Sequence, residues 1–177
     1  MPISRPIEFF RLGVFGPQRM DMHQRLIESI QKVASDRHKL IILLGDFNSG
    51  KTAVMKDVAD EMRGTYLNLN LELTEQLLTL PRSKYADGVT VHQLIDEICD
   101  KVSPDRRPIF VDNLEILFSP ELGKINPVDT FKRISRERVV VLALPARQHG
   151  GYLEYSQMGR EDHMQMSIEE YIVLQME

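Results

Sequence analysis

A three-layer α/β fold, with a five-stranded and mostly parallel sheet carrying helices on both faces, is what the sequence predicts. Three observations lead there. Apolar runs of strand length alternate along the chain with segments of helical periodicity. Two of those runs, Leu40-Ile41-Ile42-Leu43-Leu44 and Val139-Val140-Val141-Leu142-Ala143-Leu144, are continuous, as suits strands covered on both sides. The first of them runs into a glycine-containing loop and then a helix, the order found in parallel-sheet proteins.

The elements follow in sequence. Residues 1–20 read as an irregular arm, because Arg5, Glu8, Arg11 and Pro2, Pro6 and Pro17 break it up; residues 21–177 read as one domain. From Asp21, the spacing of Met22, Leu26, Ile30 and Val33 predicts a helix. After the first strand, a second helix is expected from Gly50 to about Met62, with Gly64 as its C-cap. Tyr66-Leu67-Asn68-Leu69-Asn70-Leu71-Glu72 alternates, which predicts a strand with one face less covered, at a sheet edge. A short helix is expected from Thr74 to Pro81, then one opened by a Thr90/Gln93 capping box and ended by Pro104. Ile109-Phe110-Val111 is a strand running into Asp112, and Asn126-Pro127 opens a helix lasting to about Glu137. Ala146 to Ser167 reads as a long polar loop, before a last strand at Tyr171-Ile172-Val173-Leu174.

Composition narrows the classes of function. With 177 residues, 42% of them apolar and 27% charged, the chain suits one domain burying about two thirds of its unfolded surface. A net charge of −4 supplies no global basic field for nucleic acid or anionic membrane, although a local basic patch and direct nucleic-acid contact are left open. Cys99 is the single cysteine, so no intrachain disulfide forms and a reducing, cytoplasmic setting is expected. The broken N-terminal arm does not resemble a signal peptide, and no apolar stretch approaches the ~20 residues of a membrane span.

The chemistry is concentrated in Gly45-Asp46-Phe47-Asn48-Ser49-Gly50-Lys51-Thr52, which matches G-x-x-x-x-G-K-[ST], the phosphate loop of P-loop NTPases. The glycines let successive N–H groups turn inward toward phosphate oxygens, and the following helix, with Ala53 in its first turn, adds its positive end. Lys51 is expected to reach the β and γ phosphates and Thr52 to bind Mg²⁺. The second magnesium-shell residue expected is Asp112, a carboxylate directly after the four apolar residues Pro108-Ile109-Phe110-Val111. An aspartate there also suits capping of the next segment. The absence of an N-K-x-D motif favours ATP over GTP.

The water-activating residue has two candidates. ATPases with an extra strand between the phosphate-loop strand and the aspartate strand usually carry glutamate directly after the aspartate, and here that position is Asn113. Glu115 and Glu72 are the alternatives, each also readable as a solvated surface acid. Arg133, Arg136 and Arg138 gather between a helix end and a strand start. They complement the helix dipole, or one of them, with Arg136 as the candidate, serves as a finger for a neighbouring copy in a homo-oligomer. Arg147 and Gln148 lie where related ATPases sense the γ-phosphate, but Leu144-Pro145 replaces the usual small polar residue. The five histidines show no metal-ligand spacing.

The chain also resembles the BrxF family, small P-loop proteins of type 3 BREX bacteriophage-exclusion systems. The resemblance lies in the phosphate loop, in Leu67-Asn68-Leu69-Asn70-Leu71-Glu72-Leu73-Thr74 and in Val111-Asp112-Asn113-Leu114-Glu115-Ile116-Leu117-Phe118-Ser119-Pro120-Glu121-Leu122. Ile134-Ser135-Arg136-Glu137-Arg138 and the Tyr152–Tyr155 segment add to it. It implies an AAA-like or RecA-like ATPase core without a lid domain, acting beside other BREX subunits against phage. Lys51, Thr52 and Asp112 carry over; the water-activating residue does not. Against an ATPase stand two alternatives: a nucleotide-binding switch or scaffold with little hydrolysis, motivated by Asn113, and a small-molecule kinase with the segment after Ala146 as a lid.

Overall fold

The computed structural model describes residues 17–168 and 170–177; most of the expected N-terminal arm lies outside them. Helix α1 (Pro17–Val33) begins before the expected Asp21, since proline is well suited to a helix's first turn. Its apolar stripe of Met22, Leu26, Ile30 and Val33 is buried as the spacing predicts.

Strands β1 (Leu40–Leu44), β2 (Thr65–Asn68), β3 (Ile109–Asp112), β4 (Val140–Leu144) and β8 (Ile172–Gln175) form one parallel sheet, ordered β2-β3-β4-β1-β8. β1 and β4 pair Leu40 with Val140 through Leu44 with Leu144, and all ten of those residues are buried. Along β1, Ile41 and Leu43 face a cluster with Met22, Leu26 and Ile30 of α1 and Val54, Met55 and Val58 of α2 (Lys51–Glu61). Leu40, Ile42 and Leu44 face the opposite way. They meet α3 (Leu69–Leu77), α4 (Gly88–Val102) and α5 (Pro127–Ile134). Two covered faces explain the uninterrupted apolar runs. The five-stranded, three-layer expectation holds.

Several local expectations are corrected. The alternating segment 66–72 is a strand only to Asn68, whose side chain accepts the Leu71 N–H at 3.1 Å and so caps α3. Leu69, Leu73 and Leu77 are also one helical face, and they are the buried set, whereas Leu71 is exposed. The placing of β2 at the sheet edge is correct. Helix α4 is capped by Asp87, which accepts from Val89 N–H and the Thr90 hydroxyl, in place of the expected Thr90/Gln93 box.

Helix α5 opens on Asn126 and Pro127 as expected but closes at Ile134. There Arg136 and Glu137 N–H groups turn back to the carbonyls of Arg133 and Ile134, tightening the last turn. At the end of α2 the left-handed residue is Arg63 (φ 53°), not Gly64. Gly64 is needed for space: a Cβ there would lie 2.6 Å from the Pro108 carbonyl oxygen.

Residues 147–167 are not a loop. They form an antiparallel sheet of β5 (Arg147–His149), β6 (Tyr152–Tyr155) and β7 (Met164–Ser167), with Gly150-Gly151 as the first hairpin turn. Leu153 and Met166 face each other and are buried in the cluster with α3–α5. Tyr155 stacks on Phe118 with ring centroids 3.7 Å apart. This small sheet, where many α/β folds place a helix, connects β4 to β8 and is anchored to the core by Leu153 and Met166, while β5 is exposed. Its strands are three or four residues long and bury few side chains, too little for alternation to register.

Candidate functional site

The phosphate loop leaves the C-terminal end of β1 and turns into α2, at the edge of the sheet where ligands of open α/β folds sit. Its two glycines serve different purposes. Gly45 gives space, since a Cβ would come within 2.5 Å of Ser49 Oγ and 2.9 Å of Met176 Cβ. Gly50 adopts φ +93°, a conformation that side chains rarely tolerate. Asn48 is also left-handed, at φ 63°. Around these turns the backbone N–H groups of Phe47, Asn48, Gly50, Lys51 and Thr52 find no backbone acceptor among the described residues. Unpaired N–H groups converging at a helix N-terminus are what an anion requires.

Lys51 is only 8% exposed, and its ammonium arches back over the loop. It donates to the carbonyl oxygens of Gly45 (2.5 Å) and Asp46 (2.7 Å), with a longer contact to Ser49 Oγ (3.3 Å). Burial pulls its pKa below the usual lysine range, an effect that the charges of Asp112, Glu115 and Asp46 partly oppose.

Thr52, next along α2, donates its hydroxyl to Asp112 Oδ2 at 2.5 Å, joining residues 60 positions apart. Asp112 ends β3 and is buried. Its Oδ2 also accepts the Tyr66 hydroxyl (3.0 Å), and its Oδ1 accepts the Asn113 N–H (2.9 Å). The alternative role for Asp112, capping the segment after β3, is limited to this one bond to Asn113. Tyr66 was not singled out from sequence, because one tyrosine in an edge strand carries no motif. Burial, reinforced by Asp112, pushes its pKa up to about 12.

β4 lies between β1 and β3, the extra-strand arrangement in which glutamate usually follows the aspartate. Asn113 occupies that position with a left-handed backbone, φ 55°, and its carbonyl accepts the Asn70 N–H. Glu115 opens the short helical turn Glu115–Phe118. Burial raises its carboxyl pKa above the usual range; the charge of Asp112 adds to the rise and that of Lys51 opposes it. Glu115 thus lies within electrostatic reach of both. Glu72 sits in the first turn of α3, at the same edge of the sheet, half-buried. No hydrogen bond or ion pair joins it to Lys51, Thr52 or Asp112.

The arginines separate. Arg138 is 4% exposed and donates to the carbonyls of Cys99 and Ser103 (both 2.9 Å) and to Asp100 (2.6 Å). It complements the C-terminal end of α4 and not of α5, its own neighbour in sequence. Arg133 grips Asp96 with two bonds of 2.6 and 2.8 Å. Arg136 is exposed, and its side chain has no partner among the described residues. It precedes β4, so it stands at the opposite edge of the sheet from this chain's own phosphate loop. Arg147, in contrast, follows β4 and is exposed at the phosphate-loop edge.

The donor set fits magnesium nucleotide. Thr52 and Asp112 offer the hard oxygens that Mg²⁺ favours, beside a lysine and open amides for phosphate. No helix among the described residues is long and apolar enough to cross a membrane.

No family model and no curated protein matches the sequence. Solved structures do. Among them is C. elegans PCH-2, at a TM-score of 0.51 and 12% identity, covering 93% of this chain and 44% of that one. The chain therefore spans less than half the length of the structure it matches. At that identity the likeness speaks for architecture alone, the three-layer α/β fold with its five-stranded parallel sheet.

Proposed function

We propose that the protein is a Mg²⁺-dependent ATP-binding ATPase with low or partner-stimulated turnover. The observation that carries this is the junction of loop and β3: Lys51 arched over open amides, with Thr52 bonded to Asp112. The amides and Lys51 would hold the β and γ phosphates, and Thr52 and Asp112 would hold Mg²⁺. The ion, when bound, spreads the charge that develops on the transferred phosphoryl group.

Asn113 cannot accept a proton, so we assign that role to Glu115. Its carboxylate takes the proton of the attacking water as the water oxygen bonds to the γ-phosphorus and the bond to ADP breaks. A raised pKa suits a group that must take up a proton near neutral pH. Arg136, lying away from its own site, would act only on a neighbouring copy in a homo-oligomer.

The resemblance to the BrxF family supports a cytoplasmic role beside other BREX subunits in phage defence. A second reading, a nucleotide-operated switch with little hydrolysis, is favoured by Asn113.

Equilibrium binding of a fluorescent ATP analogue with and without Mg²⁺, followed by phosphate release at rising protein concentration, tests these readings. Binding tightened by Mg²⁺ with turnover that climbs with concentration supports the oligomeric ATPase. Tight binding without turnover, alone or with BREX components, leaves the switch. No binding at millimolar nucleotide refutes both.

A further inference from the structure

Tyr66 supplies a link in this site that motif reading does not reveal. Its hydroxyl donates to Asp112 Oδ2 at 3.0 Å, the same oxygen that accepts from Thr52. The ammonium of Lys56 of α2 lies over the ring, 4.7 Å from its centroid. A carboxylate offers about four acceptor positions. Thr52 and Tyr66 fill both on Oδ2, and the Asn113 N–H fills one on Oδ1.

From this we infer that Tyr66 is a positioning residue for the magnesium shell: its hydroxyl locks the Asp112 carboxylate so that one Oδ1 acceptor remains to receive a metal-bound water. The inference rests on the ATPase reading and specifies part of the same site. Thr52 can keep donating to Asp112 while its own oxygen lone pair binds the ion. Tyr66 donates from β2 (register Tyr66 beside Phe110) and Thr52 from α2, so the carboxylate is fixed by two elements at once. Without the phenol, Oδ2 regains a free acceptor, and the carboxylate can turn so that either oxygen meets the hydrated ion. Preorganisation is then lost.

The test is the ratio of ATP-analogue affinity in Mg²⁺ to that in EDTA, measured for wild type, Tyr66→Phe and Lys56→Ala. Phenylalanine keeps the ring and its contact with Lys56, so β2 stays in place. The ratio should fall about tenfold in Tyr66→Phe, the low end of what one hydrogen bond to a charged group is worth. It should stay within twofold of wild type in Lys56→Ala, which keeps the hydroxyl. An unchanged ratio in Tyr66→Phe overturns the inference and leaves the ATPase reading intact. An equal fall in both variants also overturns it, because ring packing would then be the cause. Failure of the wild type itself to bind with magnesium linkage removes the underlying reading.

Discussion

Replacing Lys51 by methionine separates the work that this residue does in binding from its effect on the fold. The ammonium has three donors. Two are taken by the carbonyls of Gly45 and Asp46, and the third makes only the 3.3 Å contact to Ser49 Oγ. That third donor is available to a phosphate. Losing one charge-assisted bond together with its Coulomb attraction should cost about 3 kcal/mol, or about 150-fold in affinity.

Without nucleotide the balance differs. Burial lowers the pKa of Lys51, so the folded surroundings disfavour the charged form relative to water. A neutral side chain of similar length removes that cost along with the three contacts. The apo melting temperature of Lys51→Met should therefore match or exceed that of wild type.

The assay is thermal unfolding with and without Mg·ATP. At a ligand concentration of 100 times Kd, wild type gains about 2.7 kcal/mol, a rise of about 5–11 °C for a domain of this size. The variant at the same concentration should rise by ~1 °C or less. A drop of several degrees in the apo variant would refute the electrostatic account of Lys51. A nucleotide shift equal to wild type would refute its place at the phosphates.

Further outcomes follow from the partly buried Glu115 and the buried Arg138. Glu115 has a carboxyl pKa raised by burial, so its contribution to stability is complete below the ordinary carboxylate range and is lost as pH rises through the raised value. Glu115→Gln should therefore be more stable than wild type at pH 8 and equal to it near pH 4 by melting temperature, while ATP turnover falls at least 100-fold. The turnover of wild type should decline on the acid side at a pH above the ordinary glutamate range, measured as a pH–rate profile. Arg138→Met leaves Asp100 and the Cys99 and Ser103 carbonyls without their donor. It should cost about 3 kcal/mol, a fall of about 6–12 °C, with unchanged nucleotide affinity.

Much of this protein was legible from residue order. The strands at 40–44 and 140–144 announce themselves because both faces are covered, which leaves no polar position to interrupt them. The phosphate loop is local as well: its two glycines, lysine and threonine lie within eight residues, and backbone sterics shape such a loop wherever it occurs. Asp112 was readable because an unpaired carboxylate at the end of an apolar strand is costly.

Tertiary structure decided the rest. The period of Leu67, Leu69, Leu71 and Leu73 satisfies a strand, while Leu69, Leu73 and Leu77 satisfy a helix; burial of the second set in a core shared with β1, β3, β4, α4 and α5 settles the choice. Strands β5–β7 exist because the polar segment closes over Leu153 and Met166 against a core built elsewhere. Glu115 is distinguished from Glu72 by proximity to Lys51 and Asp112, and Tyr66 reaches Asp112 across a gap of 46 residues. The physical reason is range. Loop sterics and apolar periodicity act over a few residues, whereas a hydrogen bond or a desolvated charge depends on which distant segments pack side by side.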